Sequence, residues 1–140
     1  MCKLGDIIVI KNFKNENGNV ISKHSFVVIN AEKDFVEGLK YDFVSNVMCS
    51  FHNEVQRRKK IRFVENLPIK EKFISGEKIN SKDGYIKADQ LYYFDKELIE
   101  YKVIAHMEQE LLEELVQLIL FLNNKGLLKS ITTNLEKSNI

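Results

Sequence analysis

Apolar and polar positions over the first three-quarters of the chain fall into short blocks with the two-residue spacing of β-strands. "DIIVIKNF" (6–13), "HSFVVIN" (24–30), "DFVSNVMCSF" (42–51), "YIKADQLYYF" (85–94) and "YKVIAHM" (101–107) are rich in β-branched and aromatic residues and predict five strands. "KNENGNVISK" (14–23) marks a reversal through its Asn-Gly-Asn core, too long for a tight hairpin and expected to project. "AEKDFVEGLKY" (31–41) reads as a helical turn ended by Gly38, and "IRFV" (61–64) as the start of a further strand. Pro68, Gly76 and "NSKDG" (80–84) are expected in connections, and "DKELIE" (95–100) in a turn.

After His106 the period changes. Leu111, Leu115, Leu118, Ile119 and Leu122 recur at helical spacing, which predicts a helix over 108–124. Glu108, Glu110, Glu113 and Glu114 load its first turns with the negative charge that a helix N-terminus favours. Gly126 is the expected stop. The fold class that follows is mainly β with a C-terminal α-helix: a small, strongly bent sheet or barrel with the helix packed on it. Residues 1–126 form one domain in this reading, and 127–140 a polar tail expected to fray.

Charge narrows the function classes. A net charge of +1 excludes a uniformly basic nucleic-acid coat but allows a local basic face, and 29% charged against 44% hydrophobic residues argues against general disorder. Cys2 and Cys49 have no metal-like spacing and read as reduced thiols of a cytosolic protein. Four consecutive apolar residues, Ile7 to Ile10, are too few for a signal-peptide core. "LVQLILFL" is far short of the ~20 residues that a membrane span needs. The expectation is a cytoplasmic protein without a membrane partner.

Two features could carry chemistry. His24 stands where a polar loop meets an apolar strand, and histidine is the side chain able to give and take protons near neutrality. It is either an acid–base group at a strand's mouth or a half-exposed strand-end residue. Arg57, Arg58, Lys59, Lys60 and Arg62 put five positive charges within six positions. They are either a solvated edge that guards a strand or a phosphate-binding set, with Phe51, His52 and Phe63 beside them as possible base-stacking rings. The chain carries no glycine-rich phosphate loop, no nucleophile elbow and no Cys/His metal spacing, so no cofactor and no metal are expected.

The order of elements resembles the MazF/PemK family of toxin endoribonucleases. "LGDIIVI" is similar to that family's opening into its first strand, and "KHSFVVI" to its basic residue before an apolar strand. "NVMCSF", with Ser50, is similar to its long strand that ends in Thr or Ser. "GYIKADQLYYFDKELIEYKVIAHMEQELLEELVQLILFL" resembles its Asp-Gln…Asp-Lys segment, following strand and last helix, with Asp89, Gln90, Asp95 and Lys96 in register. The matching pieces cover most of residues 4–122, with extra sequence around 31–41 and 53–83.

The resemblance implies an SH3-like barrel, a homodimer, and metal-independent cleavage of single-stranded RNA by attack of the ribose 2′-hydroxyl. It also implies a cognate antitoxin that covers the RNA groove. Carried onto this chain, His24 and Lys23 replace the family's catalytic arginine, Ser50 helps hold the phosphate, and Ser25 stands where the family has proline. The basic run from Arg57 to Arg62 would hold the RNA backbone. The alternatives are a non-catalytic binding module of the same fold, either an RNA binder or an inhibitor of a protein target as in the related CcdB family, and a structural partner whose basic run is only a soluble edge.

Overall fold

The computed structural model describes residues 2–21, 23–69, 74–76 and 84–135. Among them lie nine strands: β1 (Asp6–Ile10), β2 (His24–Asn30), β3 (Phe43–Ser50), β4 (Asn66–Ile69), β5 (Ile74–Gly76), β6 (Gly84–Lys87), β7 (Gln90–Phe94), β8 (Tyr101–Met107) and β9 (Lys129–Ile131). Two helices, α1 (Glu54–Lys60) and α2 (Gln109–Asn124), complete the regular structure with a short 3₁₀ turn at Thr133–Leu135. The strands form one sheet curled into half a barrel, in the order β4-β6-β3-β2-β1-β8-β5, with β7 beside β3 and β9 beside β7. Every pairing is antiparallel except β7 with β9.

The sheet is buried on both faces at its centre, which explains why β1 is apolar at each position after Asp6. One face is aromatic: Phe13, Phe26, Phe43, Tyr92 and Phe94 pack with Ile8, Ile10, Val28 and Val47. Phe13 meets Phe26 and Tyr92 edge-on at 4.8 and 5.1 Å between ring centres. The other face carries Ile7, Val27, Ile86, Ala105 and Met107 against Leu111, Leu112, Leu115 and Leu122 of α2. α2 ends in a Schellman turn: Gly126, at φ 69°, donates to the Asn123 carbonyl and Leu127 to that of Leu122.

The segment expected as one strand over 85–94 is two. β6 pairs with residues 48–50 of β3 and β7 with residues 43–45, so both cover the same edge of one long strand. The chain turns between them at Ala88 and Asp89. The Asn46 side chain bridges the corner, its Nδ2 donating to the carbonyls of Lys87 at 3.0 Å and Gln90 at 2.8 Å. Gly84 opens β6 because nothing larger fits: a Cβ there would lie 2.1 Å from the Cys49 carbonyl oxygen.

Other expectations need correction. No strand begins at 61–64; the basic run from Arg57 to Lys60 lies in the helix α1, with Arg62 in the turn after it, and α1 is started by Asn53, whose Oδ1 accepts from the Gln56 N–H at 2.8 Å. Pro68 lies inside β4, which is tolerable because β4 is an edge strand, and Gly76 ends β5, also at an edge. Residues 31–41 form turns without a helix, held by Asp34, whose Oδ1 accepts from the Tyr41 N–H at 3.0 Å. Residues 14–20, by contrast, make the exposed reversal expected there, closed by Asn15 Oδ1, which accepts from both Asn17 and Asn19, and by a bridge between Lys14 and Val20. The segment from 127 to 135 does not fray. Ile131 is buried on the aromatic face, and the buried Asn134 amide exchanges two 3.0 Å hydrogen bonds with the Lys14 backbone. Residues 136–140 lie outside the described residues, as do 80–83 of the expected "NSKDG" connection.

Candidate nucleic-acid interface

A row of side chains crosses the sheet at one end of the aromatic face, with Ile10 and Tyr85 buried and His24 and Cys49 half-buried. Ile10 of β1 pairs with His24, the first residue of β2, and Cys49 of β3 pairs with Tyr85 of β6. The pairing of Ser25 with Met48, continued by one residue, sets His24 opposite Cys49. The row therefore reads Ile10, His24, Cys49, Tyr85. The His24 ring is half-buried against Phe13, 5.4 Å between ring centres. Gln90 and Tyr92 of β7 share this face one step further in, with the Tyr92 hydroxyl donating to Gln90 Oε1 at 2.8 Å.

The basic helix joins the row through aromatic contacts. Phe51 stacks on Tyr85 at 5.1 Å, and the Arg57 guanidinium lies 6.0 Å from the Phe51 ring centre. No residue of α1 is buried, so the helix stands on the surface. Its charges are not equivalent. Glu54 lies 3.7 Å from Arg57 and 3.6 Å from Arg58, whereas Lys59, Lys60 and Arg62 form no ion pair among the described residues.

Burial sets the protonation of the row. It pushes the Cys49 thiol up, against the pull of Lys87, Tyr85 and Lys60, so the sulfur stays a neutral thiol rather than a nucleophile. It pushes the Tyr85 phenol up to about 12, helped by Cys49, and leaves a hydroxyl that donates at neutral pH. Tyr92 is likewise pushed up to about 12, by burial first and then by Glu16, Cys49 and Asp89. Burial also raises Asp89, at the β6–β7 corner. At its outer side Lys129 holds Glu16 at 2.6 Å, which lowers the exposed Glu16 carboxyl.

Of the residues singled out in the sequence, His24 lies in the row and Arg57 and Lys60 adjoin it. Lys23 and Ser50 do not share its face: the continued register sets them opposite each other at the alternate positions, with Ser50 paired to Gly84. Phe51 is buried under Arg57 and is not open to a base, whereas Phe63 is exposed. Cys49, Tyr85, Lys87, Gln90 and Tyr92 were missed as a group. Their signal was a break in alternation: Tyr85 and Lys87 share a face with Gln90 and Tyr92 only because the corner shifts the register by three residues, an odd number. Among the described residues no three His, Cys, Asp or Glu side chains gather as metal ligands, and no helix is long and apolar enough to cross a membrane. No family model, no curated protein and no solved structure matches this chain.

Proposed function

We propose that this chain is an endoribonuclease that binds single-stranded RNA along the path from α1 to the His24 end of the sheet and cuts it. The observation that carries the reading is the row itself. A half-buried imidazole stands opposite a neutral thiol, the buried Tyr85 phenol lies on the strand beyond, and the Lys60 and Lys87 charges act on that thiol. In the reaction the ribose 2′-oxygen attacks the adjacent phosphorus, and the bond to the 5′-oxygen breaks. The products are a 2′,3′-cyclic phosphate and a 5′-hydroxyl. His24 takes the 2′-proton or delivers one to the departing oxygen. The buried Tyr85 hydroxyl holds the Cys49 thiol, and the lysines offset the charge of the phosphate.

The mainly β, curled sheet with α2 packed on it agrees with an SH3-like barrel of the MazF/PemK kind. On that reading the protein acts as the toxin of a toxin–antitoxin pair in the cytoplasm, as a homodimer whose RNA path a cognate antitoxin covers. The separation of Lys23 and Ser50 from His24 favours a second reading, in which the same surface holds RNA without cutting it. Incubation of a short unstructured RNA with the protein in excess EDTA separates the two. Cleavage that leaves a 2′,3′-cyclic phosphate and a 5′-hydroxyl supports the nuclease; intact RNA that is bound with salt-sensitive affinity supports the holding module.

A further inference from the structure

The segment 53–66 has no counterpart in the resemblance to the toxin nucleases, and its tip carries a feature that phosphate binding does not explain. Phe63 is 55% exposed, next to Arg62 and to Val64, which is equally exposed. Phe35 is more exposed still, at 67%, so it is not exposure alone but the setting of Phe63 at the end of a run of cations that marks it out. The backbone beneath it is held firmly. The Lys60 carbonyl accepts from the Phe63 N–H at 3.3 Å and from Asn66 Nδ2 at 3.0 Å, and the Phe63 carbonyl accepts from the Asn66 N–H at 3.1 Å. The ring therefore sits on a pinned turn at the C-terminal end of α1, where Arg57, Arg58, Lys59 and Lys60 crowd the last turn and Arg62 follows.

We infer that Phe63 is a stacking platform for an unpaired nucleobase, held in place by the cations around it. The occupant follows from the charges. The exposed apolar residues follow closely in the chain on Lys59, Lys60 and Arg62, none of which forms an ion pair among the described residues, so the turn fits a polyanion that also has flat apolar faces. Unpaired RNA has both, whereas a duplex keeps its bases stacked on one another and out of reach. The turn would hold one base while Lys60 leads the backbone toward Cys49 and the His24 row. This deepens the RNA reading and rests on it.

The test measures binding of a short unstructured 2′-O-methyl RNA, which cannot be cut, and of its duplex by fluorescence anisotropy. Phe63→Leu keeps the apolar bulk and removes the ring; Phe63→Tyr keeps the ring. Stacking predicts about tenfold weaker single-strand binding for Phe63→Leu, near-parental binding for Phe63→Tyr, and no change in the salt slope or in duplex binding. Because the side chain is exposed, both variants should melt with the parent. Parental affinity in Phe63→Leu would overturn the platform and leave the RNA reading standing, as would a loss of self-association in that variant without loss of RNA binding. A parent protein that binds no RNA even at low salt would overturn both.

Discussion

The Asn46 amide donates to the Gln90 carbonyl at 2.8 Å and to the Lys87 carbonyl at 3.0 Å, so one side chain from β3 closes the corner between β6 and β7. That corner is why Tyr85 and Tyr92 face the same way, and so why the candidate site exists. Asn46 is fully buried, and its loss removes a donor from two backbone carbonyls, a cost partly offset because its own Oδ1 has no partner. Asn46→Leu should therefore destabilise the protein by about 2–4 kcal/mol, read as a lower urea midpoint at unchanged slope. A cost below about 0.5 kcal/mol, the range of ordinary surface substitutions, would show that the corner holds without it.

Gly84 makes a sharper steric claim. A Cβ 2.1 Å from the Cys49 carbonyl oxygen overlaps a backbone atom that cannot turn aside. Gly84→Ala should push β6 from β3 and cost more than about 3 kcal/mol, seen as a large drop in melting temperature. A variant that melts with the parent would contradict the close approach of these strands.

Acid stability should depend on Asp42. Burial pushes its carboxyl up, but the Lys96 N–H at 2.8 Å and the Lys33 ammonium at 3.2 Å outweigh this and leave it below the ordinary range. A folded-state pKa that is depressed gives stability fully present above the unfolded value of ~3.9 and lost as pH falls through the folded one. Asp42→Asn should cost about 1 kcal/mol at neutral pH, and its stability should converge on the parent's in acid, followed by urea unfolding across pH. A gap that stayed constant with pH would rule out the charge as its source.

The basic set should divide by partner. Neutralising Lys59, Lys60 and Arg62 should flatten the salt dependence of RNA binding by up to about 2 in log–log slope. Neutralising Arg57 and Arg58, which Glu54 already offsets, should flatten it less. Equal effects from the two sets would deny that ion pairing within α1 matters.

Much of the fold was legible because its signals were local. β2 and β8 occupy the ranges that alternation predicts, and α2 begins one residue inside its expected start and ends at its predicted last residue. The errors came where a distant residue decided. Nothing near 85–94 announces that Asn46 will bend the strand, and nothing near 127–135 announces that Lys14 will bind Asn134. In the basic run five cations outweighed a quieter signal, the Asn53 and Gln56 side chains that cap a helix. His24 stood out through its residue type. Its neighbours did not, because Cys49 and Tyr85 reach it only through strand pairing across distant parts of the chain.

The central claim is that His24 moves a proton during RNA cleavage, and single-turnover cleavage of a short unstructured RNA by the parent and by His24→Ala tests it most directly. The account predicts cleavage by the parent and a loss of ~100-fold or more in the variant, with RNA affinity and melting temperature little changed. Equal cleavage rates in the two proteins would contradict it, as would a parent that binds the RNA and never cuts it.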